Sequence, residues 1–220
     1  SDLTSTSPAG EETRDSRPAA SSSAASSSSA GVPLGSSPLG MPPRCLQRLS
    51  RELKQLEKDR GQDLKDHGVE VTLADPEGSD LRGWHLRLHR KALDADSQLY
   101  KELCRWNVDS VDLEVWIPNG FPSAPPHARV LQPCFNAGSF FVHKHGALCM
   151  EILTLQGWSP AMSLSQLGLQ VKATMQQGKG SIAGTGFMAD PGLAGRTAAS
   201  GVAQQIERAH EKDWSTFGTK

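Results

Sequence analysis

The chain has 220 residues, a formal net charge of −1 at neutral pH, 37% hydrophobic and 5% aromatic residues. That length allows one domain of ordinary size plus a tail, and the charge balance argues against general nucleic-acid binding or an anionic membrane. No apolar run approaches the length needed to cross a bilayer; no signal peptide is visible, although a start at Ser1 without Met reads as a fragment and leaves an upstream signal open.

Residues 1–40 are Ser, Ala, Gly and Pro with a few charges, as in "SSSAASSSSAG" from Ser21. They offer too little apolar surface to offset the entropy of ordering, so a disordered tail is expected, acting as a plain tether. The folded domain is expected over 41–220. It opens with "PPRCLQRLSRELKQLEKDR", where Leu46, Leu49, Leu53 and Leu56 recur at helical spacing and Pro43 suits a first turn. The other faces carry Arg44, Arg48, Arg51, Lys54, Lys58 and Arg60, a basic face whose plain reading is solvation.

Alternation follows. Val69, Val71 and Leu73 predict one strand, and "ADPEGSD" turns the chain. Trp84, Leu86 and Leu88 alternate with His85, Arg87 and His89 as a second strand. Val111, Leu113, Val115 and Ile117 give a third, "NGFPSAPP" is a rigid turn, and "HARVLQ" gives a fourth. Short connections imply an antiparallel meander. After Gln132 regular pattern stops for about thirty residues, a length that is usually functional or disordered. Phe135, Phe140, Phe141, Leu148, Ile152, Leu153 and Trp158 make disorder a poor reading, so this loop should pack on the sheet. Helical spacing resumes at Leu164, Leu167, Val171 and Met175; "GKGSIAGTGFMADPGLAG" reads as a flexible connection, and "SGVAQQIERAHEKDW" as a last helix. The class is α+β.

Four cysteines, Cys45, Cys104, Cys134 and Cys149, are widely spaced with no CxxC pair, so neither a zinc site nor a disulfide framework is expected. Free thiols point to a reducing, intracellular setting. Cys45, Cys104 and Cys134 read as packing residues. Cys149 lies in the long ordered loop, yet a lone cysteine is often a small buried hydrophobe. His143 and His145 nearby suggest a Cys-His hydrolase, which needs a distant His and an orienting carboxamide that spacing does not locate. No Walker loop, serine elbow or dinucleotide turn is present.

The segments "GFPSAPP", "GALCMEIL" and "GWSPAMSLSQL", in this order after a basic helix and a four-strand meander, resemble a ubiquitin-conjugating enzyme. "LYKELCRWNVDSVDLEV", "CMEILTLQGWSPA" and "AQQIERAHEKDW" resemble the Q subfamily in particular. The resemblance covers about Pro42 to Trp214. It implies the ubiquitin-conjugating (UBC) fold, with an N-terminal helix, a four-stranded antiparallel meander, a long active-site loop and C-terminal helices. It makes Cys149 the nucleophile that accepts ubiquitin as a thioester. A thiolate attacks a thioester well and leaves well when an amine attacks. The activating enzyme consumes ATP elsewhere, so no cofactor or metal is expected.

Two departures from the ordinary family pattern stand out. The His-Pro-Asn motif, counted back from Cys149, falls on Ser139-Phe140-Phe141, a loss shared by the Q subfamily. His143, His145 and backbone N–H groups are then the candidate oxyanion donors. In the first ligase-facing loop, Phe121-Pro122, the position usually held by an aromatic is Ser123; the second, Ser159-Pro160-Ala161, matches. Arg48, Arg51 and Lys54 gain a reading as an activating-enzyme surface, and Trp158 stays a packing residue. The expected partners are ubiquitin, its activating enzyme and a ligase. The chain is expected to be a monomer in cytoplasm or nucleus. A non-catalytic module that holds ubiquitin or a partner on the same fold is the alternative.

Overall fold

The computed structural model describes residues 40–58, 66–188, 190 and 192–217, with side chains as far as Ala209. The expected tail lies outside these residues apart from Gly40. Helix α1 spans Pro43–Lys58, and its buried line is Cys45, Leu49 and Glu52. Leu46, Leu53 and Leu56 pack partly against the core, while Arg51 and Lys54 face solvent.

The four predicted strands form one antiparallel sheet in sequence order: β1 (Val69–Leu73), β2 (Gly83–His89), β3 (Ser110–Trp116) and β4 (His127–Gln132). The cross-strand rows Val71–Leu86–Leu113–Val130 and Leu73–Trp84–Val115–Ala128 fall on one face. A period of two sends every second side chain the same way, so these rows form the core surface. The alternate rows, Glu70–Arg87–Asp112–Gln132 and Thr72–His85–Glu114–Arg129, make the outer face polar. There Asp112 accepts from Arg87 at 2.7 and 3.2 Å, from Gln132 at 2.9 Å and from Ser110 at 3.0 Å.

The connection between β2 and β3 is longer than the short turn expected. It contains helix α2 (Gln98–Arg105), capped by the Ser97 hydroxyl, which accepts from the Tyr100 N–H at 3.2 Å. Leu99 and Leu103 anchor it in the core. Cys104 points outward and is exposed, so the packing role expected for it does not hold; Cys45 is buried and Cys134 half-buried. A cysteine on the solvent side of a two-turn helix simply has no core to enter.

Helix α3 (Leu164–Gln177) crosses the core face on β1 and β2. Leu164, Leu167, Val171 and Met175 are buried as their spacing predicts. Ser163 and Gln166 form a reciprocal capping box at its start. Gly168 lets the helix lie close: a Cβ there would stand 2.7 Å from both Leu86 Cδ1 and Val69 Cγ1.

The loop after Gln132 and the supposed flexible connection after α3 order each other. Strand β5 (Cys134–Phe135) pairs antiparallel with β6 (Ile182–Gly184) in a second, two-stranded sheet. Helix α4 then runs over Leu193–Phe217, starting seven residues ahead of the expected Ser200. The architecture is the α+β arrangement read from the sequence, with the core between sheet and helices.

Candidate active site

Cys149 closes a segment of unusual backbone. Between Gly138 and Gly146, five residues have left-handed backbone: Gly138, Phe140, Phe141, His145 and Gly146, with φ of 83°, 53°, 64°, 58° and 79°. For a residue with a Cβ this costs about 1–2 kcal/mol, so it persists only where neighbours impose it.

The neighbours are identifiable. Phe140 is fully buried and meets Phe135 edge-on, ring centroids 5.4 Å apart. Its N–H donates to the Lys179 carbonyl at 2.9 Å. The Ser139 hydroxyl accepts from the Ser181 N–H at 3.1 Å, and a Cβ on Gly180 would stand only 2.3 Å from the Ser139 Cβ. The stretch after α3 is thus a mould for residues 139–140. Further along, Val142 pairs with Leu148, and the Cys149 N–H donates to the Phe141 carbonyl at 2.9 Å. Gly146 lies on β4 so closely that a Cβ would stand 2.0 Å from the Val130 carbonyl oxygen. Ala147 bridges to Arg129. The cysteine backbone is therefore pinned to the sheet on one side and to a strained turn on the other.

The Cys149 side chain is half-buried, and burial pushes its thiol pKa above the ordinary cysteine value. At neutral pH the group rests as a thiol and reacts through its small thiolate fraction.

Where ordinary relatives carry His-Pro-Asn, this chain has the moulded Ser139-Phe140-Phe141. Phe140 fills the core and Phe141 stands 38% exposed; neither offers a carboxamide. His143 and His145 sit on the turn ahead of Cys149, His145 exposed. Among the described residues neither ring has a hydrogen-bond partner. The Cys149 N–H is already committed to Phe141, which removes it from the backbone candidates for an oxyanion donor.

The two loops expected to face a ligase come together. The Trp158 Nε1–H donates to the Pro122 carbonyl at 2.7 Å, and the Phe121 and Trp158 rings pack with centroids 6.1 Å apart. Phe121 is buried, whereas Ser159, Pro160 and Ala161 are exposed. Arg48 binds both loops. Its guanidinium donates to the carbonyls of Pro160 at 2.8 Å and Met162 at 2.7 Å, with a longer contact of 3.4 Å to Ala161. It also stands over the Phe121 ring at 5.9 Å. Its Nε donates to Glu52 at 2.7 Å, and the other Glu52 oxygen accepts the Leu164 N–H at the start of α3, at 3.0 Å. Of the three basic residues singled out on α1, Arg51 and Lys54 face solvent while Arg48 turns into the protein. The four-residue spacing of Arg48 and Glu52 was readable; their carbonyl and N–H partners, 112 to 114 residues away, were not.

Comparison with known proteins identifies the family. The family model described as "Ubiquitin-conjugating enzyme" matches residues 48–181. A human Q-like ubiquitin-conjugating enzyme is 32% identical over 154 residues, covering 70% of this chain and 91% of that protein. The human "Ubiquitin-conjugating enzyme E2 Q1" is 32% identical over 174 residues, covering 77% of this chain but 38% of that protein. A Q-like ubiquitin-conjugating enzyme of Drosophila melanogaster is 33% identical over 137 residues, covering 62% of this chain but 42% of that protein, so the chain spans under half the length of these last two relatives. Among solved structures, human ubiquitin-conjugating enzyme E2 G1 is similar over 61% of this chain and 96% of its own, with 20% identity and a TM-score of 0.46. With the family model spanning more than half of the chain and a Q-like relative matched over nearly its whole length, this chain belongs to the ubiquitin-conjugating enzyme family, in its Q subfamily.

Proposed function

We propose that Cys149 carries ubiquitin as a thioester and passes it to an amine or hydroxyl acceptor. The observation that carries this reading is the anchoring of Cys149. A chain that used this residue as core filler would have no reason to hold a strained, exposed turn against its backbone. In the first step the Cys149 thiolate attacks the thioester carbonyl linking ubiquitin to the activating enzyme. A new C–S bond forms at Cys149, the old one breaks, and the activating enzyme's thiolate leaves. In the second, the acceptor's nitrogen or oxygen attacks the same carbonyl, loses its proton to solvent or a nearby base, and expels the Cys149 thiolate. Both steps exchange one acyl bond for another, so neither calls for a nucleotide.

Ubiquitin, an activating enzyme and a ligase are the partners of this reading. Arg51 and Lys54, exposed on α1, suit an electrostatic docking surface for the activating enzyme. Pro122 and the exposed Ser159-Pro160-Ala161 loop suit a ligase-facing surface, whereas Phe121, expected there too, is buried beneath them against Trp158. A monomer in the reducing cytoplasm or nucleus suits cysteines of which none is in a disulfide.

The test is incubation with activating enzyme, ATP and ubiquitin, read on a non-reducing gel. A reducible adduct should form on the parent and on Cys45→Ala, Cys104→Ala and Cys134→Ala, and vanish in Cys149→Ala. Ubiquitin binding without an adduct would leave the non-catalytic module as the function.

A further inference from the structure

On the outer face of the sheet, two charged residues are hidden where their neighbours are wet. Glu114 on β3 and Arg129 on β4 are 4% and 3% exposed. The first turn of α4 covers them. Arg196 donates to Glu114 Oε1 from Nε at 2.8 Å and also from Nη2, and its guanidinium stacks 4.2 Å from the centroid of Trp116. Arg129 donates from Nε to Glu114 Oε2 at 2.8 Å, and from Nη1 to the Asp190 carbonyl at 3.0 Å. One carboxylate thus serves two arginines, and one of these also holds the chain that leads into the helix.

Stability alone is a weak reason for such a cluster. A buried ion triad gains little over apolar residues of the same volume, because desolvation offsets the attraction. What distinguishes this one is its place. The Arg129 backbone pairs with Ala147, two residues ahead of the nucleophile. Helix α4 touches the Lys144–Gly146 turn, and farther along, Glu207 Oε1 lies 3.4 Å from the Leu155 N–H, beyond Cys149 in the chain. From Arg196 to Glu207 the helix covers about 16 Å at its standard rise. It therefore meets the cysteine loop on both sides of Cys149. Gly195 is what permits this docking. A Cβ there would stand 1.9 Å from the Asp190 carbonyl oxygen and 2.3 Å from Arg129 Nη1, and the helix accepts a residue about 1 kcal/mol poorer than Ala to avoid that clash.

We infer that Arg196 and Glu114 are positioning residues: through Arg129 and Ala147 they dock α4 across the Cys149 loop and fix where the nucleophile stands. The inference rests on the thioester reading only for what the positioning serves; its test does not require ubiquitin.

The test is alkylation of Cys149 by iodoacetamide in the full chain, resolved by peptide mass spectrometry, in the parent, Arg196→Ala, Gly195→Ala and Arg196→Lys. Gly195→Ala raises helix propensity and removes no charge, so a phenotype shared with Arg196→Ala isolates docking from both. Cys45, on the buried face of α1, reports on the integrity of the fold. Both alanine variants should alkylate Cys149 about tenfold faster, the factor equivalent to about 1.4 kcal/mol and within the coupling range of groups in one charge network. Cys45 should stay unreactive. Arg196→Lys, which keeps a charge toward Glu114, should fall closer to the parent than Arg196→Ala does. A parental Cys149 rate in either alanine variant, or the reverse order for Arg196→Lys, overturns the inference. So does an equal rise at Cys45, which would make the triad a support of the whole domain. A parent that forms no ubiquitin adduct would end the proposed function and leave the alkylation result standing.

Discussion

Replacing Arg48 with Ala tests whether this residue holds the Ser159-Pro160-Ala161 loop in place or merely belongs to a basic face. The substitution removes two short charge-assisted bonds, to the carbonyls of Pro160 and Met162, and the pair with Glu52. The two sides of that pair differ: the Arg48 side chain is 20% exposed and that of Glu52 only 7%. Water can therefore replace much of what the carbonyls lose, leaving a net cost of about 1 kcal/mol there. Glu52 would retain the Leu164 N–H alone in a site water hardly reaches, which costs about 2 kcal/mol more. A total of about 3 kcal/mol lowers the melting temperature of a domain this size by about 6–12 °C. Thermal melts of the parent, Arg48→Ala, Glu52→Gln and the double variant give the answer as a cycle. The Arg48–Glu52 coupling should be at least about 0.5 kcal/mol, while Arg51→Ala, at an exposed site, should stay within about 0.5 kcal/mol of the parent. If Arg48→Ala melts together with Arg51→Ala, the clamp is an ornament of the surface and the reasoning fails.

Gly146→Ala should cost about 3 kcal/mol or more, from left-handed backbone plus a Cβ driven into the Val130 carbonyl; a melt within about 2–3 °C of the parent, a shift of about 1 kcal/mol or less, would refute it. Because burial raises the Cys149 pKa, its alkylation rate should climb about tenfold per pH unit through neutrality and reach no plateau below the ordinary cysteine pKa of about 8.5; a plateau near pH 7 would contradict this. Arg51→Glu combined with Lys54→Glu should slow charging by the activating enzyme, and added salt should slow the parent in the same direction; charging indifferent to both would return this face to solvent. With no carboxamide at Ser139-Phe140-Phe141, the thioester should form readily but discharge onto free lysine about a hundredfold to a thousandfold more slowly than a site with a preorganised donor. His143→Ala and His145→Ala identify a local donor if either slows discharge and spares charging.

The meander was legible because strand periodicity is local. Val71, Leu86, Leu113 and Val130 meet in one cross-strand row, and each had already declared its face by alternation. The stripe of α3 was legible for the same reason. Helix α2 escaped because its buried pair, Leu99 and Leu103, spans one turn, too short for periodicity to register against flanking strands. The β5–β6 pairing escaped because two- and three-residue strands carry no pattern, and their partners lie across α3. At the site, the family resemblance, and not the bare setting of a lone cysteine, singled out Cys149. The left-handed backbone at Phe140 and Phe141 could not be foreseen, since no phenylalanine prefers it; at Phe140 it is held by Lys179, Gly180 and Ser181, which mould residues 139–140. Nor does sequence alone reveal that Arg48 points inward while Arg51 and Lys54 point outward. That difference is set by carbonyls on a distant loop.

The closure of β5 on β6 also sets an order of events during synthesis. The Asn136 N–H donates to the Ser181 carbonyl across 45 residues, and the ends of the loop meet only when that length has been made. The meander pairs neighbouring segments and can be complete as the chain leaves the ribosome, N-terminal part first. Cys149 is synthesised well before Lys179, Gly180 and Ser181, which shape its surroundings. A chain that stopped after Gln177 would contain the sheet and α3 but nothing to hold Phe140 in its left-handed conformation. Cys149, near the middle of the folded sequence, is thus among the last places in the domain to mature.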